Sequence, residues 1–380
     1  MLLKNAVVYG PDFDPVRMDV LVVGERVSAM GENVSENEVL DLSGCTLIPG
    51  FIDIHIHGCA GADTSDATPA ALETMSAYLA TCGVTSFCPT SMTLSREELT
   101  RIFSNVAACR GRVSGAYIHG VNMEGPYIAA AKKGAQNGAY IRNPDAEEFL
   151  ALYEGCGGNI RLVDIAPELS GAEEFVRRVQ PVCPVSIAHT AAGYKEASAA
   201  IDWGVRHVTH LYNAMSGLTH RQPGVVGAVF DHAQKEGMRA ELICDGFHIH
   251  PAALRIAFRE LGEDGAVVVS DAMCAAGYQD GEYQLGGQIV TVAGGRALLA
   301  DGTIAASTTN IHEEFCNLLR FGIPFKEAVK ATSLNPAKAI RVDHETGSVQ
   351  KGKFADLVAL DGDHRVRMVI IKGRILVNKL

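Results

Sequence analysis

The chain places two histidines two residues apart in the stretch Pro49-Gly50-Phe51-Ile52-Asp53-Ile54-His55-Ile56-His57-Gly58. In an extended strand alternate side chains share a face, so both imidazoles can reach one cation. Neutral imidazole is a common ligand of zinc and related divalent metals. The alternative is a pair of polar residues on a solvated strand face. Because the flanking residues are apolar and two buried, unpartnered imidazoles would be costly, the stretch favours a metal site at the end of a buried strand.

Short apolar strands and amphipathic helices alternate from this stretch through most of the chain. Helices begin at signals such as Thr68-Pro69, where threonine caps and proline opens the first turn, and the capping box Ser95-Arg96-Glu97-Glu98. Together with the strand that carries His55, the strands make about eight βα units, so we predict an α/β fold with a closed (β/α)8 TIM-like barrel. The other strands are predicted over residues 84–89, 116–123, 160–166, 185–189, 207–210, 240–244 and 266–270.

The two ends of the chain share a different pattern. Residues 1–48 and 346–380 contain short strands separated by turns such as Asp361-Gly362-Asp363. We expect these segments to pair into one small β-sandwich domain, which leaves residues 49–345 for the barrel.

Composition narrows the class of protein. A net charge of −11 over 380 residues is unlike a nucleic-acid-binding surface, and any anionic ligand then needs a local basic group. We expect no membrane partner, because no apolar run is long enough to cross a bilayer. Ten cysteines without a C-x-x-C pair, and a first segment that alternates like a strand, predict a cytoplasmic protein with reduced thiols. Cys59 and Cys274 are either soft ligands near the site or, as their residue type favours, buried packing.

Ionisable residues fall where five of the predicted strands end. Active sites on such barrels form at the C-terminal ends of the strands, so we expect these side chains to meet there and hold a metal. One strand-end histidine alone is more often structural; the convergence favours ligation. A second alternating pair, His248 and His250, is followed by Pro251 and a helix, so it predicts a substrate contact for His248 and a helix start at His250. The six predicted ligands are His55, His57, Glu124, His189, His210 and Asp271.

Several further motifs occur at or beside these positions. Two specific ones are Glu124-Gly125-Pro126-Tyr127 and Thr209-His210-Leu211-Tyr212-Asn213-Ala214-Met215. Others are Lys133-Gly134-Ala135-Gln136, Ala188-His189-Thr190, Arg221-Gln222-Pro223-Gly224, Asp245-Gly246-Phe247-His248 and Ser270-Asp271-Ala272. With these motifs and the stretch 49–58, the chain resembles the N-acetylglucosamine-6-phosphate deacetylases of the amidohydrolase superfamily over essentially its whole length.

The resemblance implies a metal centre with one or two divalent ions per subunit. Glu124, His189 and His210 would bind the shared metal. His55, His57 and Asp271 would complete a second position, with Glu124 as the bridge. The donor set suits zinc, iron or manganese. Asp271 would act as the catalytic base that takes a proton from water and returns it to the leaving amine, or would serve only as a ligand; the two roles can coexist.

The resemblance also implies a site for a phosphorylated amino sugar. Arg221 suits a phosphate through its planar fork, although alone it reads as a surface residue; in some relatives this arginine reaches the neighbouring subunit, which predicts a homodimer. Gln136 stands where relatives often have histidine; its amide either donates to the substrate or makes a loop hydrogen bond. The implied substrate-binding residues are Ala135, Gln136, Asn213, Ala214, Arg221, His248 and, in a loop that closes over the sugar, Ile304 and Ser307.

The implied activity is metal-dependent hydrolysis of N-acetyl-D-glucosamine 6-phosphate to D-glucosamine 6-phosphate and acetate in amino-sugar catabolism. Two other enzyme functions are open: deacetylation of a related sugar phosphate, such as N-acetylgalactosamine 6-phosphate, and another amidohydrolase reaction. A third reading is a barrel that has lost catalysis and serves as a scaffold or sensor. The intact set of predicted ligands argues against that reading.

Overall fold

The computed structural model describes residues 1–31 and 38–380. Its strands, numbered along the chain, are β1 (Leu2–Lys4), β2 (Val7–Tyr9), β3 (Pro15–Arg17), β4 (Asp19–Val23), β5 (Arg26–Gly31), β6 (Val39–Asp41), β7 (Thr46–Pro49), β8 (Phe51–Ile56), β9 (Gly58–Cys59), β10 (Ala62–Asp63), β11 (Val84–Ser91), β12 (Tyr117–Ile118), β13 (Val121–Tyr127), β14 (Ile160–Ile165), β15 (Val185–Ile187), β16 (His207–Val208), β17 (Arg239–Leu242), β18 (Ala266–Val268), β19 (Gly281–Leu285), β20 (Gln288–Ala293), β21 (Arg296–Leu298), β22 (Ile304–Ala306), β23 (Leu357–Leu360), β24 (Val366–Ile371) and β25 (Arg374–Asn378).

Most helices lie between the strands of the middle segment. None of the described helices is long and apolar enough to cross a membrane. The α-helices are α1 (Pro69–Thr81), α2 (Arg96–Cys109), α3 (Ala146–Gly155), α4 (Ala172–Val179), α5 (Tyr194–Asp202), α6 (Gly224–Glu236), α7 (Pro251–Leu261), α8 (Ile311–Arg320), α9 (Phe325–Thr332) and α10 (Leu334–Ala339), and short 3-10 helices cover Thr64–Asp66, Ala130–Lys132 and Gly138–Tyr140.

A ring of parallel strands forms the centre of the molecule. Its order is β8, β11, β13, β14, β15, β16, β17 and β18. The segment after β18 closes the ring against β8, because Asp271 N–H donates to His55 O at 2.9 Å and Ile56 pairs in parallel with Ala272. The predicted (β/α)8 barrel is confirmed. Every residue of β8 and β11 is buried, as expected for parallel strands covered on both faces.

The first two helices of the barrel begin where the sequence predicts. Thr68 Oγ1 accepts from Ala71 N–H at 3.2 Å, and proline occupies the first turn of α1. Ser95 and Glu98 exchange side-chain and backbone hydrogen bonds at the start of α2. These caps satisfy N–H groups that a helix start otherwise leaves unpaired, so they fix where each βα loop ends.

The terminal segments build a second unit of two sheets. One sheet has the order β25-β24-β23-β7-β2-β3, in which β7 from the N-terminal segment pairs antiparallel with β23 from the C-terminal segment. The other has the order β5-β4-β1-β6. Apolar residues of both ends, such as Val8, Val20 and Ile370, share one core between the sheets. The predicted small β-sandwich of the two ends is confirmed. The boundaries at 48/49 and 345/346 stay predictions, and residues 32–37 of this unit lie outside the described part.

One sheet within the barrel region was not predicted. Strands β19 to β22 form an antiparallel sheet, so the predicted closing loop over 304–307 is wrong for its first three residues, which are β22. Two-residue turns join the strands at Gly286-Gly287 (φ +55° and +80°) and Gly294-Gly295 (φ +59° and +77°). A common two-residue turn of β-hairpins needs positive φ at both residues, and glycine adopts this conformation without strain.

The strand predicted over 116–123 is also different in the structure. It is divided into β12 and β13 at Gly120, and Glu124 lies inside β13 rather than after it. At Gly120 (φ +153°) a Cβ atom would stand 2.3 Å from Asn159 O, so the chain turns where another backbone approaches closely.

Candidate metal centre

A cavity of about 440 Å³ opens at the C-terminal ends of the barrel strands. Its floor consists of imidazoles and carboxylates, and its walls come from the segment 130–136, the loop after His210 and the β21–β22 connection. The lining includes His57, Met92, Glu124, Ala130 to Gln136, His189, His210, Asn213, Ala214, His248, Asp271, Asp301, Thr303, Ile304 and Ala305.

His55 and His57 reach this floor from the first barrel strand. Both are buried. His57 Nε2 lies 3.2 Å from Glu124 Oε2 and 3.3 Å from Asp271 Oδ1. His55 Nε2 lies 3.5 Å from Asp271 Oδ1 and 3.6 Å from Glu124 Oε1. The alternate spacing therefore brings both rings to the same two carboxylates, with the ring centroids 5.4 Å apart.

A second group forms around the other oxygen of the same glutamate. His189 Nε2 lies 3.0 Å and His210 Nε2 3.1 Å from Glu124 Oε1, and the two Nε2 atoms are 3.1 Å apart. The backbone is left-handed at His189 (φ +41°), His210 (φ +28°) and Asp271 (φ +47°). Such conformations are unusual for residues with a Cβ and occur where the surrounding structure holds a functional side chain in place.

Two sets of three potential ligands therefore share one buried floor. His55, His57 and Asp271 form one set, and Glu124, His189 and His210 form the other; within each set the ligand atoms lie within 4.8 Å of one another. Glu124 contacts members of both sets, since Oε1 faces His189 and His210 and Oε2 faces His57. All six residues predicted as ligands are brought together.

The donor set fits a divalent cation. His55 Nε2 is buried and has no hydrogen-bond partner among the described residues. His189 and His210 direct their Nε2 atoms at the same carboxylate oxygen and at each other. Hydrogen bonds alone satisfy this arrangement poorly, because only one proton can lie between the two nitrogen atoms. Imidazole nitrogen and carboxylate oxygen are the usual ligands of such ions in catalytic sites.

The carboxylates of the floor remain charged. Burial acts to raise the pKa of Glu124, but the charge of His55 and hydrogen bonds from His189 and His210 hold it well below the ordinary value. Burial likewise opposes ionisation of Asp271, and the charge of His55 with a hydrogen bond from His57 keeps its pKa low. Burial lowers the pKa of His57, yet hydrogen bonds to Asp271 and Glu124 raise it to about 10. Concentrated negative charge thus requires compensation by cations, either protons or a metal.

Glu241 supports the floor from below. Its carboxylate is fully buried in β17; Oε2 lies 2.8 Å from His55 Nδ1 and accepts from His210 N–H at 3.2 Å. A carboxylate on Nδ1 fixes the tautomer of His55 and directs Nε2 into the cavity. This residue was not predicted from the sequence. Its signal was a single acidic residue between apolar neighbours in a strand predicted to be buried.

Gln136 makes the loop hydrogen bond considered for it and also contacts Glu124, while donation to the substrate stays a prediction. Its Oε1 accepts from Thr93 N–H at 2.6 Å, and its Nε2 donates to Glu124 Oε2 at 2.5 Å. The first bond sets the orientation of the amide, so the N–H groups must face Glu124 and the cavity.

The residues predicted to bind substrate lie at different depths. Ala135, Gln136, Asn213, Ala214, His248 and Ile304 line the cavity. Ser307 is buried behind it and donates to Ser270 O. Arg221 is exposed in the loop 217–222 and does not line the cavity of this chain. His250 caps α7 by accepting from Ala252 N–H, as expected.

Two lysines of the cavity wall, Lys132 and Lys133, and one residue outside the lining, Asp245, were missed. Lys132 Nζ donates to Met215 O at 3.1 Å. Asp245 Oδ2 lies 2.7 Å from His248 Nδ1, which leaves Nε2 of that ring for a ligand. Lys133 and Asp245 belong to motifs quoted above, each near a residue that was chosen, whereas Lys132 directly precedes the first of these motifs.

Known proteins are similar to this chain in sequence and in fold. A family model described as the amidohydrolase family matches residues 46–376. N-acetylglucosamine-6-phosphate deacetylase of Bacillus subtilis (strain 168) is 39% identical over 335 residues, which cover 87% of this chain and 84% of that protein. N-acetylgalactosamine-6-phosphate deacetylase of Escherichia coli O157:H7 is 35% identical, covering 87% of each. A mutant N-acetyl-D-glucosamine-6-phosphate deacetylase of Mycobacterium smegmatis, solved in complex with N-acetyl-D-glucosamine-6-phosphate, superposes with a TM-score of 0.93 at 30% identity, covering 100% of this chain and 99% of that one.

Proposed function

Because the chain belongs to the amidohydrolase family, we propose that it is a metal-dependent deacetylase of N-acetyl-D-glucosamine 6-phosphate. Water cleaves the amide C–N bond, and the products are acetate and D-glucosamine 6-phosphate. The observation that carries the proposal is the pair of ligand sets on the floor of the cavity, which meet where Glu124 of one set contacts His57 of the other. The identity of the proposed substrate is inferred from the names of the relatives that match over most of the chain.

The six floor residues would hold one or two divalent ions, with zinc, iron and manganese as the candidates. A bound divalent ion supplies Lewis acidity, which polarises an amide carbonyl and lowers the pKa of water. His55, His57 and Asp271 would hold one ion, and Glu124, His189 and His210 the other. Glu241 holds His55 in the orientation that ligation requires.

Asp271 is the general base of the proposed reaction. Its Oδ1 faces His55 and His57 at the edge of the cavity, and its low pKa leaves it unprotonated at neutral pH. It would take a proton from the attacking water and deliver it to the departing nitrogen. Gln136 would donate its oriented amide N–H to the carbonyl oxygen, where negative charge develops.

The sugar phosphate would lie across the cavity toward its mouth. His248, whose Nδ1 is engaged by Asp245, has Nε2 for a sugar hydroxyl. Ala135, Asn213, Ala214 and Ile304 line the walls, and Ser307 supports them from behind. Arg221 is exposed, so its role in binding phosphate requires that it serve the cavity of a second subunit. We therefore propose a homodimer, and sedimentation of the purified protein as a monomer would contradict this part. The reduced cysteines fit a cytoplasmic location.

Deacetylation of N-acetylgalactosamine 6-phosphate is not favoured. The relative of that name is less similar, at 35% identity, than the first glucosamine relative, at 39%. The two substrates differ at one ring carbon, so a comparison of kcat/KM for both sugars on the same preparation decides between them.

The direct test is acetate release from N-acetylglucosamine 6-phosphate by protein reconstituted with a divalent metal. We expect turnover by the wild type and a loss of at least about 100-fold in kcat for Asp271→Asn, which removes the base but keeps the size of the side chain. Asp231→Asn, on the exposed surface of α6, is the matched control and should leave kcat unchanged. Equal rates for wild type and Asp271→Asn would contradict the role of Asp271 as general base.

A further inference from the structure

A recess of about 260 Å³ lies at the opposite end of the barrel from the cavity. Val185, His207 and Arg239, the first residues of β15, β16 and β17, form its roof. The segment around Gln180 and the end of α10 form its sides. The recess is therefore at the N-terminal ends of the strands and separate from the metal floor.

Cationic side chains line this recess. They are Arg206, Arg239, Lys338 and Arg341, and no aspartate or glutamate is among the described residues that line it. The chain as a whole carries a net charge of −11, so this concentration of positive charge is local. Like charges brought together cost free energy unless an anion compensates them.

Three of the four cations have structural contacts. Arg206 donates to Ile201 O, Val205 O and Glu236 Oε2, and Lys338 lies 3.2 Å from Asp264 Oδ1. Arg341 donates to Gln180 O at 2.9 Å and to Pro181 O at 3.3 Å. Residues at this end of a barrel usually serve stability, and these contacts agree with that role.

Arg239 is different. Its guanidinium makes no hydrogen bond and no ion pair with any residue in the described ranges, and its Nε is buried without a partner. Asp264 and Asp343 act on it only through the longer-range field. A buried guanidinium N–H that lacks an acceptor costs free energy. An acceptor that reaches this N–H through the recess must be small.

We propose that this recess binds a phosphate group, with the fork of Arg239 as its main donor. A planar guanidinium binds the oxygens of a tetrahedral oxyanion through parallel hydrogen bonds, and Lys338 and Arg341 add charge around it. The ligand is inorganic phosphate or the phosphate of a small phosphomonoester. This site is independent of the proposed deacetylase reaction, since none of its lining residues lines the metal cavity.

The test measures binding of inorganic phosphate to the full chain by calorimetry, for wild type, Arg239→Gln and Arg239→Lys. Phosphate that enters the metal cavity contributes equally to all three, so the difference reports the recess. We expect Arg239→Gln to weaken the recess component at least about tenfold, and Arg239→Lys to be intermediate because it keeps the charge but not the fork. Arg255→Gln, an exposed arginine of α7, is the control. Unchanged thermal unfolding of Arg239→Gln would show that the loss is not a loss of fold.

A second arm repeats the titration with glucose 6-phosphate, which has no acetamide. If Arg239→Gln weakens the binding of both ligands, the recess accepts phosphomonoesters. If it weakens only the binding of inorganic phosphate, the recess accepts the free anion. Tungstate soaked into crystals should give an anomalous peak beside Arg239. Identical phosphate binding by wild type and Arg239→Gln, or a recess without tungstate density, would overturn the proposal.

Discussion

Replacing Glu241 by glutamine tests how the floor of the cavity is held. In the wild type one fully buried carboxylate faces His55 Nδ1 at 2.8 Å and accepts from His210 N–H at 3.2 Å. Glutamine offers one oxygen and one N–H₂ group in the same space. With the amide oxygen at the position of Oε2, both hydrogen bonds are kept, because His55 Nδ1 and His210 N–H contact that one oxygen. The N–H₂ group then replaces Oε1, which has no hydrogen-bond partner among the described residues, so the negative charge is lost and the geometry is kept. The reversed amide would set an N–H donor against His210 N–H, which disfavours it.

The variant therefore removes the negative charge that makes His55 a more basic ligand, without removing a ligand. Changes to such supporting groups cost about 10- to 100-fold in metal affinity, or roughly 1.4–2.7 kcal/mol. The assay is metal content by mass spectrometry after dialysis against graded chelator. We expect Glu241→Gln to release its metal at correspondingly lower chelator strength and to regain acetate release in excess metal.

Glu314→Gln provides the matched control. Glu314 is also fully buried, and neither carboxylate oxygen has a hydrogen-bond partner among the described residues. Burial raises its pKa well above the ordinary value, which favours the uncharged acid that glutamine imitates. Metal retention in this variant should equal that of wild type. Equal metal affinity for Glu241→Gln and Glu314→Gln would refute the claim that the charge of Glu241 strengthens metal binding by His55.

Three further changes have defined outcomes. Gln136→Leu should lower kcat about 100-fold, because it removes the oriented donor; a change in KM alone would contradict that role. Arg221→Ala should raise KM for N-acetylglucosamine 6-phosphate at least about tenfold and leave thermal unfolding unchanged, because Arg221 is exposed; equal loss with unphosphorylated N-acetylglucosamine would contradict phosphate recognition. Burial, reinforced by Arg161 and Arg110, lowers the pKa of His119 to about 3, so the unfolded chain binds the extra proton below about pH 6.5 and the free energy of unfolding falls as the pH drops. His119→Leu should remove about 2 kcal/mol of the difference between pH 7 and pH 5 in urea unfolding, and an unchanged difference would contradict this assignment.

Much of this architecture is readable from local sequence. The alternation of apolar strands and capped helices predicts the barrel, since parallel strands must be covered on both faces. The six predicted ligands share one floor because the C-terminal ends of parallel barrel strands meet at one rim. Their roles as ligands, and that of Asp271 as base, stay predictions.

The remaining features depend on contacts that sequence order does not reveal. Glu241 lies inside β17 and not after it, and its role depends on a contact with His55, which is 186 residues away in the sequence. The sheet β19–β22 depends on two glycine pairs whose turns were not recognised as hairpins. The significance of Arg239 depends on Lys338 and Arg341, which the end of α10 and the residues after it bring to the N-terminal ends of the barrel strands.

The central claim is that the shared floor around Glu124 holds a catalytic cation. Anomalous diffraction at the zinc edge, from crystals of zinc-reconstituted protein that releases acetate, tests it most directly. We predict a peak at about 2.0–2.2 Å from a Glu124 oxygen and from Nε2 of His189 and His210, absent in Glu124→Ala crystals. Protein that releases acetate at full rate with no metal peak among these side chains would contradict the account.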